Sequence, residues 1–144
     1  MKKLVLLFSI SFSTLAQIPQ KGEFVPDFNL GKCLNNPTLP SSMAELRGKI
    51  VILDFWATWC KPCIVTHPLL EKLQDQYKND VVVFALSDEE PDKIERYMKS
   101  RVSNLNYLVD SGSLNSNMFG VMALPHTVII DKKGKIQAIT HPSE

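Results

Sequence analysis

Three absences narrow the reading of this 144-residue chain. It lacks any excess of charge of one sign: 16 Lys and Arg stand against 15 Asp and Glu, a formal net charge of +1. The electrostatic field that marks a nucleic-acid-binding protein or one adsorbed on an anionic membrane is therefore missing. It lacks an apolar run of the roughly 20 residues that a membrane-spanning helix needs. It is also short of metal ligands, with three cysteines and three dispersed histidines, whereas a closed zinc site takes four ligands at fixed spacing. Internal repeats and low-complexity tracts do not occur. What is there is ordinary for a globular protein: 44% hydrophobic and 22% charged residues, in a length that supports one domain with a real core.

The first residues, "MKKLVLLFSISFSTLAQ", follow a different rule. Lys2 and Lys3 precede an apolar stretch from Leu4 to Leu15, and Thr14 and Ala16 fit a small-x-small cleavage site. Residues 1–16 therefore read as a signal peptide and residues 17–144 as the exported domain; an uncleaved membrane anchor is the alternative. No cysteine directly follows the apolar run, which argues against a lipid-modified N-terminus. The expected location is periplasmic or otherwise extracytoplasmic, where disulfides persist.

Along the mature chain, residues 17–42 are rich in Pro, Asn, Gly and Ser, with "FVPDFNL" as a strand-like piece. "SSMAELRGK" reads as a short helical turn capped by Ser41 or Ser42 and ended by Gly48. "KIVILDFWA" has the continuous apolar character of a strand buried on both faces of a parallel sheet. A helix is expected from Lys61 to Tyr77, with Leu69, Leu70, Leu73 and Tyr77 on its buried side and a kink at Pro68. "DVVVFALS" is a second buried strand, and "DEEPDKIERYMKSR" an amphipathic helix with acidic residues first and basic residues last. "NYLVD" and "SLNSNMFG" give a short strand and a short helix, and "HTVIID" and "KIQAIT" flank a hairpin turn. Strands alternating with helices and closed by a hairpin imply an α/β architecture around a mixed central sheet.

Chemistry concentrates in "DFWATWCKPC", residues 54–63. Cys60 falls where strand becomes helix, near unpaired backbone N–H groups and the positive end of the helix dipole. Both favour thiolate over thiol, and Lys61 adds a positive charge. Cys63 lies one turn further along the same face, within reach for a disulfide. Pro62 is tolerated because the first helical turn needs no N–H there. The arrangement lets Cys60 attack a disulfide and Cys63 resolve the mixed disulfide that results. A purely structural staple across so small a loop stabilises little. Asp54 sits in the middle of a buried strand, where a carboxyl is costly without partners. It either faces water at the strand edge or is placed to take the proton of Cys63.

"FWATWCKPC", the Pro-containing helix behind it, and "FGVMALPHTVIIDKKGK" together resemble the thioredoxin superfamily, and within it the TlpA/ResA-type extracytoplasmic thiol–disulfide oxidoreductases. The similarity runs from about Phe24 to Thr140. It implies a thioredoxin fold, a mixed central sheet flanked by helices. By the same resemblance Cys60 is the nucleophile, Cys63 the resolving thiol and Asp54 the buried acid. Leu124–Pro125 matches the cis-proline step that borders the cysteines, and Trp59, Leu124, Pro125 and His126 border the bound substrate. The chemistry needs no cofactor and no metal. Protein disulfides or thiols are the expected partners, with a membrane electron-relay protein as thiol donor, and nucleic acid is not among them.

Three departures stand out. Where many relatives of this type carry a Glu three residues past the second cysteine, this chain has Thr66, beside His67; after the proline it has His126 in place of the usual Thr. His126 either tunes the cysteine pair or merely packs on the sheet. The usual C-terminal helix is missing after "KIQAIT", so either the chain is a fragment of a longer protein or a partner surface covers that sheet face. An exposed apolar strip there would favour self-association. Trp56 reads as core and Trp59 as the apolar rim of the site. Cys33 is an odd cysteine, inert or bridging to a second chain. The competing functions are a thiol peroxidase, against which Thr58 stands only two residues before Cys60 instead of three, a metal-binding chaperone using Cys60, Cys63 and a histidine, and a redox-inert binding domain.

Overall fold

The computed structural model describes residues 17–140; the leader-like residues 1–16 with their expected cleavage site, and residues 141–144, lie outside the described residues. In chain order the elements are β1 (Lys32–Cys33), β2 (Ile50–Phe55), α1 (Lys61–Gln76), β3 (Val81–Ser87), α2 (Pro91–Lys99), β4 (Asn106–Val109), a single 3-10 turn (Ser111–Ser113), α3 (Leu114–Met118), β5 (His126–Ile130) and β6 (Ile136–Thr140). They form one six-stranded sheet in the order β1-β4-β3-β2-β5-β6. β2, β3 and β4 run parallel, while β5 lies antiparallel to β2, β6 antiparallel to β5, and β1 antiparallel to β4. This is the mixed sheet expected from the alternating pattern, with the thioredoxin-fold connectivity. No helix among the described residues is long and apolar enough to cross a membrane.

Because side chains alternate along a strand, β2 supplies two different cores. Val51, Leu53 and Phe55 join a hydrocarbon core with Val25, Phe28, Leu30, Met43 and Leu46 of the N-terminal segment, Phe119 behind α3, and Val128, Ile130 and Ile136 of the hairpin. Ile52 and Trp56 join the second core, beneath Cys63 and Leu70 of α1 and Ile94 of α2, together with Leu105 and Tyr107. Asp54 has the parity of this second face. Further along the same face, Thr127, Ile129 and Ala138 of the hairpin are only half-buried, and α1 leaves Val65 and Leu69 exposed.

Several boundaries differ from the sequence reading. Residues 24–30 pair only through isolated bridges, Phe24 with Lys135 and Asn29 with Ser42; Pro26 supplies no N–H for a continuous ladder. The short β1 falls instead after Gly31, whose φ is +94°. A Cβ there would stand 2.6 Å from the carbonyl oxygen of Val109, so only glycine lets the segment come alongside β4. Residues 43–48 make successive turns, with Leu46 N–H donating to the Met43 carbonyl at 3.2 Å, and no helix forms. On α1 the buried residues are Cys63, His67 and Leu70, not Leu69 or Tyr77. Positions 63, 67 and 70 share one helical face, and 69 is turned about 100° from its neighbour 70. The helix runs on through Pro68.

Candidate active site

The N-terminus of α1 builds the reactive centre. Cys60 is its N-cap, with φ −81° and ψ 90°, and its Sγ accepts a hydrogen bond from the backbone N–H of Cys63 at 3.3 Å. The capping geometry thus aims the first free N–H groups of the helix at this sulfur, as the strand-to-helix position implied. Cys60 and Cys63 are joined in a disulfide, with Cα atoms 5.4 Å apart. Cys63 is entirely buried and Cys60 retains 3% exposure. Pro62 lies in the first turn and Lys61 is exposed beside the pair. Among the described residues, no three His, Cys, Asp or Glu side chains converge to hold a metal ion.

The loop that delivers Cys60 is clamped from the segment just after β3. Glu89 accepts from the backbone N–H of Thr58 at 2.6 Å and from its hydroxyl at 2.9 Å, and Ser87 Oγ lies 3.4 Å from the same carboxylate. Glu89 was visible in the sequence only as one acid in "DEEP", where it reads as the start of a helix. Its role in holding residues 56–60 depends on a contact across 31 positions, which periodicity cannot reveal.

Trp59, 70% exposed, forms the rim next to the disulfide. Together with Leu124, Met122, Asn117, Ser113 and Asp88 it lines a pocket of about 310 Å³. The Leu124–Pro125 peptide bond is cis. His126 follows it but is buried, its ring set edge-on to Phe55 with centroids 5.7 Å apart. It therefore lies on the hydrocarbon face, opposite to Asp54. The structure thus brings Cys60, Cys63, Trp59 and Leu124–Pro125 to one end of the sheet and turns the His126 side chain inward. Trp56 is core. Cys33 is a half-buried free thiol whose pKa burial pushes up, while hydrogen bonds from Asn36 and Asn35 oppose the shift.

Asp54 does not face water: it is 1% exposed, next to the last residue of β2 and opposite Thr127 of β5. Thr127 Oγ1 donates to its Oδ1 at 2.9 Å. Its Oδ2 faces Nε2 of His67 at 3.5 Å, longer than a tight hydrogen bond, and neither atom has another partner. His67 is wholly buried on α1, with its Nδ1 3.3 Å from the hydroxyl of Tyr97 and its ring edge-on to Trp56 at 4.9 Å. Tyr97 in turn accepts from Arg101 at 2.6 Å. Burial raises the pKa of Tyr97, opposed mainly by the Arg101 charge, and pushes that of Tyr107 up to about 12, so both phenols keep their protons at neutral pH. His67 is the residue that sequence reasoning passed over. Its one signal was its spacing, four residues after Cys63 on the same helical face. Thr66 is exposed and its hydroxyl donates back to the Cys63 carbonyl at 2.8 Å.

A family model described as the AhpC/TSA family matches residues 22–139. The thioredoxin-like protein YneN of Bacillus subtilis (strain 168) is 38% identical over 83% of this chain and 71% of its own length. The thiol-disulfide oxidoreductase ResA of Bacillus thuringiensis subsp. konkukian (strain 97-27) is 34% identical over 65% of this chain, and the match spans only 56% of that relative. Among solved structures, a thiol:disulfide interchange protein DsbE from Chlorobium tepidum superposes with a TM-score of 0.74 at 25% identity, covering 87% of this chain and 89% of that one.

Proposed function

We propose, from the premise that this chain belongs to the AhpC/TSA family as a ResA-like thiol–disulfide oxidoreductase of the thioredoxin superfamily, that it works as a reductase of protein disulfides outside the cytoplasm. The observation that carries this reading is the disulfide-bonded pair itself: Cys60 caps α1 with its sulfur on the Cys63 N–H, and Cys63 is sealed behind it.

In the reduced protein the Cys60 thiolate attacks one sulfur of a substrate disulfide, and the other substrate sulfur leaves as a thiolate that takes a proton. Cys63 then loses its proton to the Asp54 carboxylate and attacks Cys60 Sγ. The Cys60–Cys63 bond forms, the mixed disulfide breaks, and the second substrate thiol departs. Two electrons pass to the substrate and the protein is left oxidised, the state seen here. A thiol donor must restore it, and a membrane electron-relay protein suits an exported domain. Support for Asp54 as the base comes from its burial on the Cys63 face and from the hydrogen bond that fixes its Oδ1. Trp59 and the Leu124–Pro125 backbone border the approach to Cys60, so an extended substrate segment pairs with that backbone by strand addition. Export is supported by the leader pattern of residues 1–16.

The test is insulin-disulfide reduction together with the equilibrium potential against glutathione. Activity that Cys60→Ser abolishes, with a potential nearer about −270 mV than about −120 mV, is expected. A potential at the oxidising end would make the protein a disulfide donor and overturn the direction proposed.

A further inference from the structure

We infer that His67 is a positioning residue for Asp54, locked by Tyr97 and Arg101 in the tautomer that turns an N–H toward the carboxylate. The argument is a donor count. The Arg101 guanidinium can only donate, so the 2.6 Å contact makes the Tyr97 oxygen its acceptor. The Tyr97 hydroxyl proton is then free to point at His67, and it meets Nδ1 at 3.3 Å. With its hydroxyl proton directed at His67, Tyr97 meets the Nδ1 lone pair, which leaves the imidazole proton on Nε2, the atom that faces Asp54 Oδ2 at 3.5 Å.

Each of the two facing atoms is buried and has no other partner. The chain of groups runs from the surface inward: Glu71 lies 3.9 Å from Arg101, and Arg101, Tyr97 and His67 follow in turn toward β2. With Thr127 donating to Oδ1, the carboxylate receives one donor on each oxygen. It is held in one orientation. His67 thus does from α1 what no group on β2 or β5 does for Oδ2. A plain filler in the aromatic box of Trp56, Tyr97 and Tyr107 would not need its nitrogens in this order.

The inference rests on the reading of Asp54 as the base for Cys63, and the experiment separates the two. Single-turnover reduction of insulin by the fully reduced protein is followed across about pH 6 to 8. The titratable or charged groups around His67 are Asp54 on β2, Cys63 and Glu71 on α1, Tyr97 on α2 with Arg101 just beyond its end, and Tyr107 on β4.

His67→Leu is expected to slow the reaction roughly ten- to hundredfold and to alter its pH profile. His67→Gln, whose amide N–H stands near the place of Nε2–H, should recover most of the rate, whereas His67→Asn, whose amide reaches only the Nδ1 position, should not. The Asp54→Asn, His67→Leu double variant should be no slower than Asp54→Asn alone. Should the Leu variant not fold, Gln against Asn makes the same comparison. Equal rates for Gln and Asn, a His67→Leu profile matching the parent, or additive losses in the double variant would overturn the inference while leaving Asp54 as the base. A parent-like Asp54→Asn would overturn the base reading itself, and the inference with it.

Discussion

β2 sends Val51, Leu53 and Phe55 to one face of the sheet and Ile52 and Asp54, with Trp56 just past its end, to the other, so one strand feeds two interiors of different chemistry. The first is hydrocarbon and phenyl: Phe119 packs edge-on to Phe28 at 5.4 Å and against Phe55 at 5.9 Å. Its stability comes from area and close packing, which carry no direction. The second holds Asp54, His67, Tyr97 and Tyr107 among its aromatic rings, beside the cysteine pair. There the polar atoms depend on particular partners, because an unmet one in a low-dielectric interior is costly. The contrast teaches where this protein tolerates change. The apolar face should lose stability on substitution and keep its chemistry, while the polar face should lose chemistry and keep its fold.

The largest effect expected is on the polar face. Asp54→Asn should lower the rate of the resolving step by roughly 10²- to 10⁴-fold, the usual contribution of a positioned base, with a melting temperature close to that of the parent. A parent-like rate for Asp54→Asn would dismiss Asp54 as the base and erase the contrast. Next comes Phe119→Ala on the apolar face, expected to cost about 3–5 kcal/mol in urea unfolding through the cavity it leaves. Its insulin-reductase activity per folded molecule should match the parent; a large loss would mean that the two faces are coupled.

The smallest effect sharpens the polar face alone. Tyr107 titrates at about 12 in the folded chain because burial penalises the phenolate, against about 10 for an ordinary tyrosine. Below about pH 10 both folded and unfolded chains keep the proton, and the stabilisation is fully present. As pH rises from there toward 12 the unfolded chain ionises first, so stability falls. Tyr107→Phe should flatten that alkaline decline in denaturant titrations, and should lose about 1 kcal/mol at neutral pH with the hydrogen bond to Ser103. A decline as steep as the parent's would assign the alkaline loss to other groups, Tyr97 foremost.

Much of this was legible in one dimension because it is local. A buried strand running into a helix at Cys60 places the sulfur on free N–H groups whatever surrounds it, and the alternation of strands and helices implies the mixed sheet. The hairpin is equally local: Asp131 accepts backbone N–H bonds from Lys133 and Lys135, which hold its carboxyl below the usual range, and Gly134 takes the positive φ. What was not legible is long-range. "FVPDFNL" has the composition of a strand, yet no neighbour offers it a ladder. Leu69 has the character of a core residue, yet the face of α1 that turns inward is the one bearing His67.

The order of residues by itself determined the redox pair, its place at a helix N-terminus and the sheet that supports it, since these follow from spacings of a few positions. Tertiary structure alone decided that Asp54 is sealed from water, that Glu89 fastens the loop before Cys60, and that His67 meets Asp54 while His126 turns to the other side. Those outcomes depend on which faces of separate elements pack together, and burial of that kind is a property of the assembled layers, not of any one segment.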